Sequence, residues 1–209
     1  MAFAMNVDRR TCLRGLLALA GGAAVAGAGP ALAAEGRLVY EGQVFDTRLR
    51  VAGVELRLNG TGVRQVAWFK GYLAALYLVS PASTAAQAVA MGGPKRIQMR
   101  MLHDVPAAEF SKAMRKGIAR NTPAPALGSL GERIERFSRQ IDAAGAVRDK
   151  DVVDLDLDPS RGLVWSINGR PRGDPIPGED FYAALLRSFV GEVPYDKRMR
   201  AGLLGQAAG

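Results

Sequence analysis

Two residues of the stretch LNGTGVRQVAWFKGYLAALYL, Leu58 to Leu78, could do chemistry that their neighbours cannot. Arg64 carries a planar guanidinium fork that matches a carboxylate or an enolate through two parallel hydrogen bonds, and Tyr72 adds a hydroxyl donor. On an extended strand, residues 64, 66, 68, 70 and 72 share a face, which puts Trp68 between the two; a bulge at Gly71 would break that parity. An unpaired buried charge costs several kcal/mol, so roughly two readings stand. Either Arg64 pairs with an Asp or Glu at the rim of a sheet, or it stands uncompensated in an apolar pocket and is kept for an external anion.

The other candidates are weaker. His103 is the only histidine, and zinc would need two or three further ligands beside it. One haem axial position or a single base is what it could supply. Asp154, Asp156 and Asp158 suggest calcium, but an EF-hand loop counted from Asp154 needs Gly at its sixth place and Glu at its twelfth. Pro159 and Trp165 stand there. The wet face of a strand explains the ladder, and no metal site is expected. No phosphate-binding glycine loop and no nucleophile elbow is present.

The elements that must position these residues begin after a leader. Arg9–Arg10, then LLALAGGAAVAGAG, then Ala31-Leu32-Ala33 are the charged, apolar and small-residue parts of an export signal. The arginine pair resembles the twin-arginine type, so residues 1–33 are expected to be cleaved near Ala33 and the chain to be periplasmic. The apolar run is too short and glycine-rich to span ~30 Å of hydrocarbon, so no stable membrane span is expected. Cys12, the only cysteine, lies in the leader, leaving residues 34–209 with neither disulfide nor thiol chemistry. That span suits one domain. Without the leader the formal charge of +8 falls by two. The basic residues, among them Arg48, Arg57, Lys95, Arg96 and Arg133, are scattered, which suits solvation of a surface and not a nucleic-acid face.

Phe45–Val51 and Val54–Leu58 alternate apolar and polar around Ala52-Gly53, a hairpin pattern. Asn59-Gly60 and Thr61-Gly62 read as turns; Val63–Phe69, Tyr72–Val79 and Lys95–Leu102 read as further strands. Asp104 is placed as the N-cap of a helix carrying Phe110, Met114 and Ile118. Asn121–Pro125 reads as a loop, and Ser129–Glu132 as a capping box opening a helix with Leu130, Ile134, Phe137 and Ile141 inward. Strands at 153–157 and 163–167 follow. A helix with Phe181, Leu185 and Ser188 on one stripe and a short helix over 196–204 end the chain. The order indicates an α+β domain with a mostly antiparallel sheet covered by helices.

Three blocks carry a resemblance: LNGTGVRQVAWFKGYLAALYL, GPKRIQMRMLHDVPAAEFSKAMRKGI and GLVWSINGRPRGDPIPGEDFYAALLRSFVGEVPYDKRMRAGLLG. In that order they resemble the bacterial chalcone isomerase-like family, from about Val44 to Gly205. The resemblance implies an open-faced β-sandwich, a large antiparallel sheet under a layer of helices with a ligand cleft between. In the plant isomerases of this fold a phenolate adds across an enone, and an arginine on a GxGxR strand stabilises the developing charge. Arg64 matches that arginine, and Ser188 matches a threonine of the last cleft helix. Tyr72 stands where the isomerases have threonine, Phe110 where they have their tyrosine, and Gly117 where they have asparagine. Two polar contacts are thereby missing, each worth roughly a few kcal/mol in a transition state. The family also has non-catalytic fatty-acid-binding relatives, in which Arg and Tyr hold a carboxylate, and Lys70-Gly71-Tyr72-Leu73 resembles their strand. The resemblance thus implies a cleft binding a small apolar acid, with Arg64, Tyr72 and Ser188 as polar contacts and Phe110 and Trp68 as apolar ones, and with no cofactor. Isomerase activity and haem binding through His103 are the two alternatives.

Overall fold

The computed structural model describes residues 36–66 and 69–206. The leader-like segment with Cys12, and Trp68, lie outside the described residues. The chain begins with a two-stranded hairpin, β1 (Arg37–Tyr40) and β2 (Gln43–Asp46). Seven strands then make one antiparallel sheet in sequence order: β3 (Arg48–Val51), β4 (Val54–Val66), β5 (Phe69–Leu78), β6 (Lys95–Met101), β7 (Val152–Asp158), β8 (Gly162–Ile167) and β9 (Arg170–Pro171). The helices are α1 (Ala85–Ala90), α2 (Ala107–Asn121), α3 (Ala124–Ala144), α4 (Glu179–Val190) and α5 (Lys197–Leu203). This is the α+β, open-faced arrangement anticipated, a large antiparallel sheet under a helical layer.

Alternation along the strands builds two cores. Leu76, Ile97, Met99, Leu155 and Trp165 face the helices, where Phe137 meets Trp165 and Phe181 edge-on at 5.6 and 6.0 Å. Leu73, Ala75 and Tyr77 face the other way, under Phe45 and Tyr40 of the first hairpin. Each such buried ring removes 150–250 Å² from water, roughly, which is the main force holding helices to sheet.

Several local expectations are corrected. Asn59-Gly60-Thr61-Gly62 make no turn; β4 continues through them, with a slip in its register against β5 at Asn59. Phe45–Val51 breaks at Thr47 into β2 and β3. Asp104 does not cap α2, whose N-cap is Pro106; its carboxylate accepts from Arg148 Nη1 at 2.9 Å and Asp149 N at 2.8 Å. α3 starts at Ala124 with Pro125 in its first turn, where the missing N–H is no loss. Ser129 therefore lies inside the helix and donates to Ala126 O at 2.8 Å. The aspartate ladder is not wet: Asp154 is 7 % exposed, and Asp156 takes both prongs of the Arg96 fork at 2.6 Å. Gln98 donates to Asp154 at 2.9 Å. Arg96 and Lys95 thus leave the set of surface basic residues.

One surface pair gives a pH prediction. Arg133 grips Asp180, in the first turn of α4, at 2.6 and 2.7 Å. That hydrogen bonding holds the Asp180 carboxyl below its ordinary value of 3.8. A depressed carboxylate stabilises above the unfolded value and loses that contribution as pH falls through the folded one. Asp180→Asn should therefore lower stability by about 0.5–1 kcal/mol at neutral pH, the range left after solvent screening. Urea unfolding curves of the two proteins should converge as pH drops below about 3.

Candidate functional site

Arg64 and Tyr72 meet by a route that differs from a shared strand. They lie on adjacent antiparallel strands, β4 and β5, directly opposite one another. Opposed residues share a face, and here it is the helix-facing one, with Tyr72 packed against that core. The register slips just beyond the pair, between Arg64 and Gln65, with Gly71 as the extra residue of β5. The single strand expected through both residues is corrected: β4 ends at Val66 and β5 begins at Phe69.

The same face of β4 carries Gly60 and Gly62, and α5 lies directly upon them. A Cβ on Gly62 would stand 2.6 Å from the Met199 carbonyl, and one on Gly60 would overlap the Gly202 carbonyl. Asn59 fastens this seat, donating to Leu203 O at 2.7 Å and Ala82 O at 2.9 Å. The docked helix brings its N-cap, Asp196, to the site. Asp196 Oδ1 accepts from Arg198 N and Met199 N at 2.8 and 3.1 Å, and Oδ2 accepts from Gln65 N at 3.1 Å.

Arg64 is accordingly not the uncompensated guanidinium expected. Its Nη1 lies 3.8 Å from Asp196 Oδ2, with 30 % of the side chain exposed. That is charge contact without a hydrogen bond, because the carboxylate is already committed to backbone donors. The same Nη1 donates to Gln65 O at 3.3 Å. Among the described residues the rest of the fork has no hydrogen-bond acceptor.

A second tyrosine completes the cluster. Tyr195 packs edge-on against Phe189 at 5.1 Å, and its backbone N–H donates to Ser188 O at 2.9 Å. Its ring covers Gly117 of α2, where an added Cβ would stand 2.5 Å from Cε1. Tyr195 thus fills the room that a side chain at position 117 would take. The Ser188 hydroxyl is buried without a hydrogen-bond partner. It lies close enough to temper the Tyr195 hydroxyl, which burial pushes up to about 12. Burial, with Tyr195 adding to it, pushes Tyr72 up as well, against the pull of Arg64. Both phenols are therefore neutral donors at physiological pH and not bases.

Phe110 is half-buried against the helix-facing core, on the stripe of α2 that includes Met114 and Gly117. Seven residues put it about 10 Å along the helix from Gly117. His103 is exposed after β6, with Asp104 as a charged neighbour. Among the described residues no group of three His, Cys, Asp or Glu side chains could hold a metal, and no helix is long and apolar enough to cross a membrane. Sequence reasoning missed Tyr195 and the second role of Asp196. Asp196 was legible as a helix start, but nothing in its spacing leads to Arg64.

The arrangement is a cationic fork within charge range of Asp196, two neutral hydroxyl donors and a buried serine at the end of an apolar layer. Comparison with known proteins agrees with the architecture. An Arabidopsis thaliana fatty-acid binding protein of known structure superposes with a TM-score of 0.62 at 15 % identity, over 80 % of this chain and 95 % of that one. No curated protein matches. The family model described as chalcone isomerase-like matches residues 38–205, nearly everything the structure describes, and on that match the chain belongs to the chalcone isomerase-like family.

Proposed function

We propose that this protein is a non-catalytic binder of a small, largely apolar carboxylate, fatty-acid-like in character, held where the sheet meets the helices. The observation that carries the reading is the opposition of Arg64 and Tyr72 across β4 and β5, on the face that packs against helices. Arg64 supplies the counter-charge, Tyr72 donates to the same anion, and Ser188 and Phe110 stand along the path of the apolar body. The fatty-acid-binding relative of the same fold supports this ligand class. Binding is favoured over turnover because both phenols are neutral donors and the Asp196 carboxylate is already engaged by three backbone N–H groups. Export belongs to the same proposal, with residues 1–33 removed and the ligand met in the periplasm.

Calorimetric titration of the full chain with laurate tests it. Arg64→Ala should weaken binding at this site about tenfold or more, the loss expected for a charge-assisted pair, with the melting temperature unchanged. Unaltered affinity would make Arg64 a structural residue and end the proposal.

A further inference from the structure

A cavity of about 1350 Å³ lies away from the Arg64 cluster, between α1, the start of α3, the end of α2 and α4. Its volume exceeds the ~300–1,000 Å³ usual for small-molecule sites. Val89, Leu130, Leu157, Tyr182 and Leu186 give it an apolar wall.

Two polar groups in that wall are under-used. Lys95 opens β6 at an inward position, in line with Ile97 and Met99, and is 3 % exposed. Its ammonium donates to the Met91 carbonyl at the end of α1. Among the described residues its other two N–H directions meet no acceptor, and no carboxylate lies within ion-pair distance of it. Thr122 Oγ1, in the same wall, is buried with no hydrogen-bond partner. Of the acidic residues lining the cavity, Asp180 is held by Arg133, Glu192 is exposed, and Glu179 influences Lys95 only through space. Burial draws the ammonium below its ordinary value, with Glu179 opposing. A solvent-excluded cation with one hydrogen bond is a costly arrangement, and an anion entering the cavity would relieve it.

We infer that this cavity is a second binding site, independent of Arg64, for a monoanionic carboxylate with an apolar chain, its head group taken by Lys95. The ligand class is set by a buried ammonium at the edge of an apolar wall.

Carboxyl-¹³C laurate added to the full chain should give two bound carboxyl resonances. Lys95→Met keeps the length and apolar bulk of the side chain and should remove one of them, or weaken it at least tenfold, without lowering the melting temperature. Ala183→Trp, which fills the cavity from α4 and leaves Lys95 in place, should remove the same resonance. Arg64→Ala should remove only the other. A single bound resonance, abolished by Arg64→Ala and untouched by both cavity variants, would overturn the second site and leave the first. A resonance lost in Lys95→Met and Ala183→Trp but indifferent to Arg64→Ala would sustain the second site and sink the first. Indifference to all three variants would overturn both.

Discussion

Arg96→Met is expected to destabilise the fold by about 3–5 kcal/mol, because it strands a carboxylate that has nowhere else to turn. Asp156 sits opposite Arg96 in the β6–β7 register and takes both prongs of its fork at 2.6 Å. Asp154, 3.6 Å from the same guanidinium, loses its counter-charge in the same step. Burial already pushes the Asp156 carboxyl above its ordinary range, with Arg96 pulling against it. At two to four degrees per kcal/mol for a domain of this size, the melting temperature should fall by roughly 6–20 °C. Removing both partners is a different matter, since apolar replacements of a buried pair are often neutral. The double variant Arg96→Met/Asp156→Leu should therefore recover most of the loss. Thermal melts of the wild type, the single and the double variant check this together; a single variant as stable as the wild type would show the pair to be ornamental.

The second large effect belongs to the glycine track under α5. Gly60→Val should cost about 3 kcal/mol or more, at the upper end for overpacking, because the added atoms meet backbone carbonyls of Gly202 and Leu203 that cannot rotate away. The helix would have to lift, and Asp196 and Tyr195 lift with it. Loss of laurate binding at the Arg64 site should accompany the loss of stability. Gly128→Ala is the control: Gly128 lies inside α3 with open space at its Cβ, so alanine should be neutral or stabilising by up to about 1 kcal/mol. Equal stability of Gly60→Val and the wild type would show that the helix does not rest on the strand in solution.

The same glycines show where reading the chain stopped. Local chemistry treats Asn59-Gly60-Thr61-Gly62 as turn residues. Their purpose is tertiary: Asn59 and the Leu203 carbonyl it holds are 144 positions apart in sequence. Periodicity named the element where an apolar stripe recurs regularly, as in β7, β8 and α4, although it misread the polar face of β7 as wet. For α3 it named the buried stripe, Leu130, Ile134, Phe137 and Ile141, but missed the start, because prolines open the helix where composition suggested a loop; α1 is too short for a pattern. Arg64 and Tyr72 were found as a pair although the strand geometry was wrong, because the extra residue Gly71 gives two opposed residues the even separation of a shared strand face. Lys95 alternates with Ile97 and Met99, so its inward position was legible in the pattern, but a lysine there reads as surface unless its burial is known.

The sheet is long in the middle and stubby at its rims. One rim is β3, four residues with Arg48 and Arg50 outward and exposed; the other is β9, two residues ending in Pro171. Charge and a missing backbone donor are what keep a naked strand from recruiting another. A concentrated solution of this protein therefore has little route to growing fibres strand by strand, even though a seven-stranded ribbon lies at its heart.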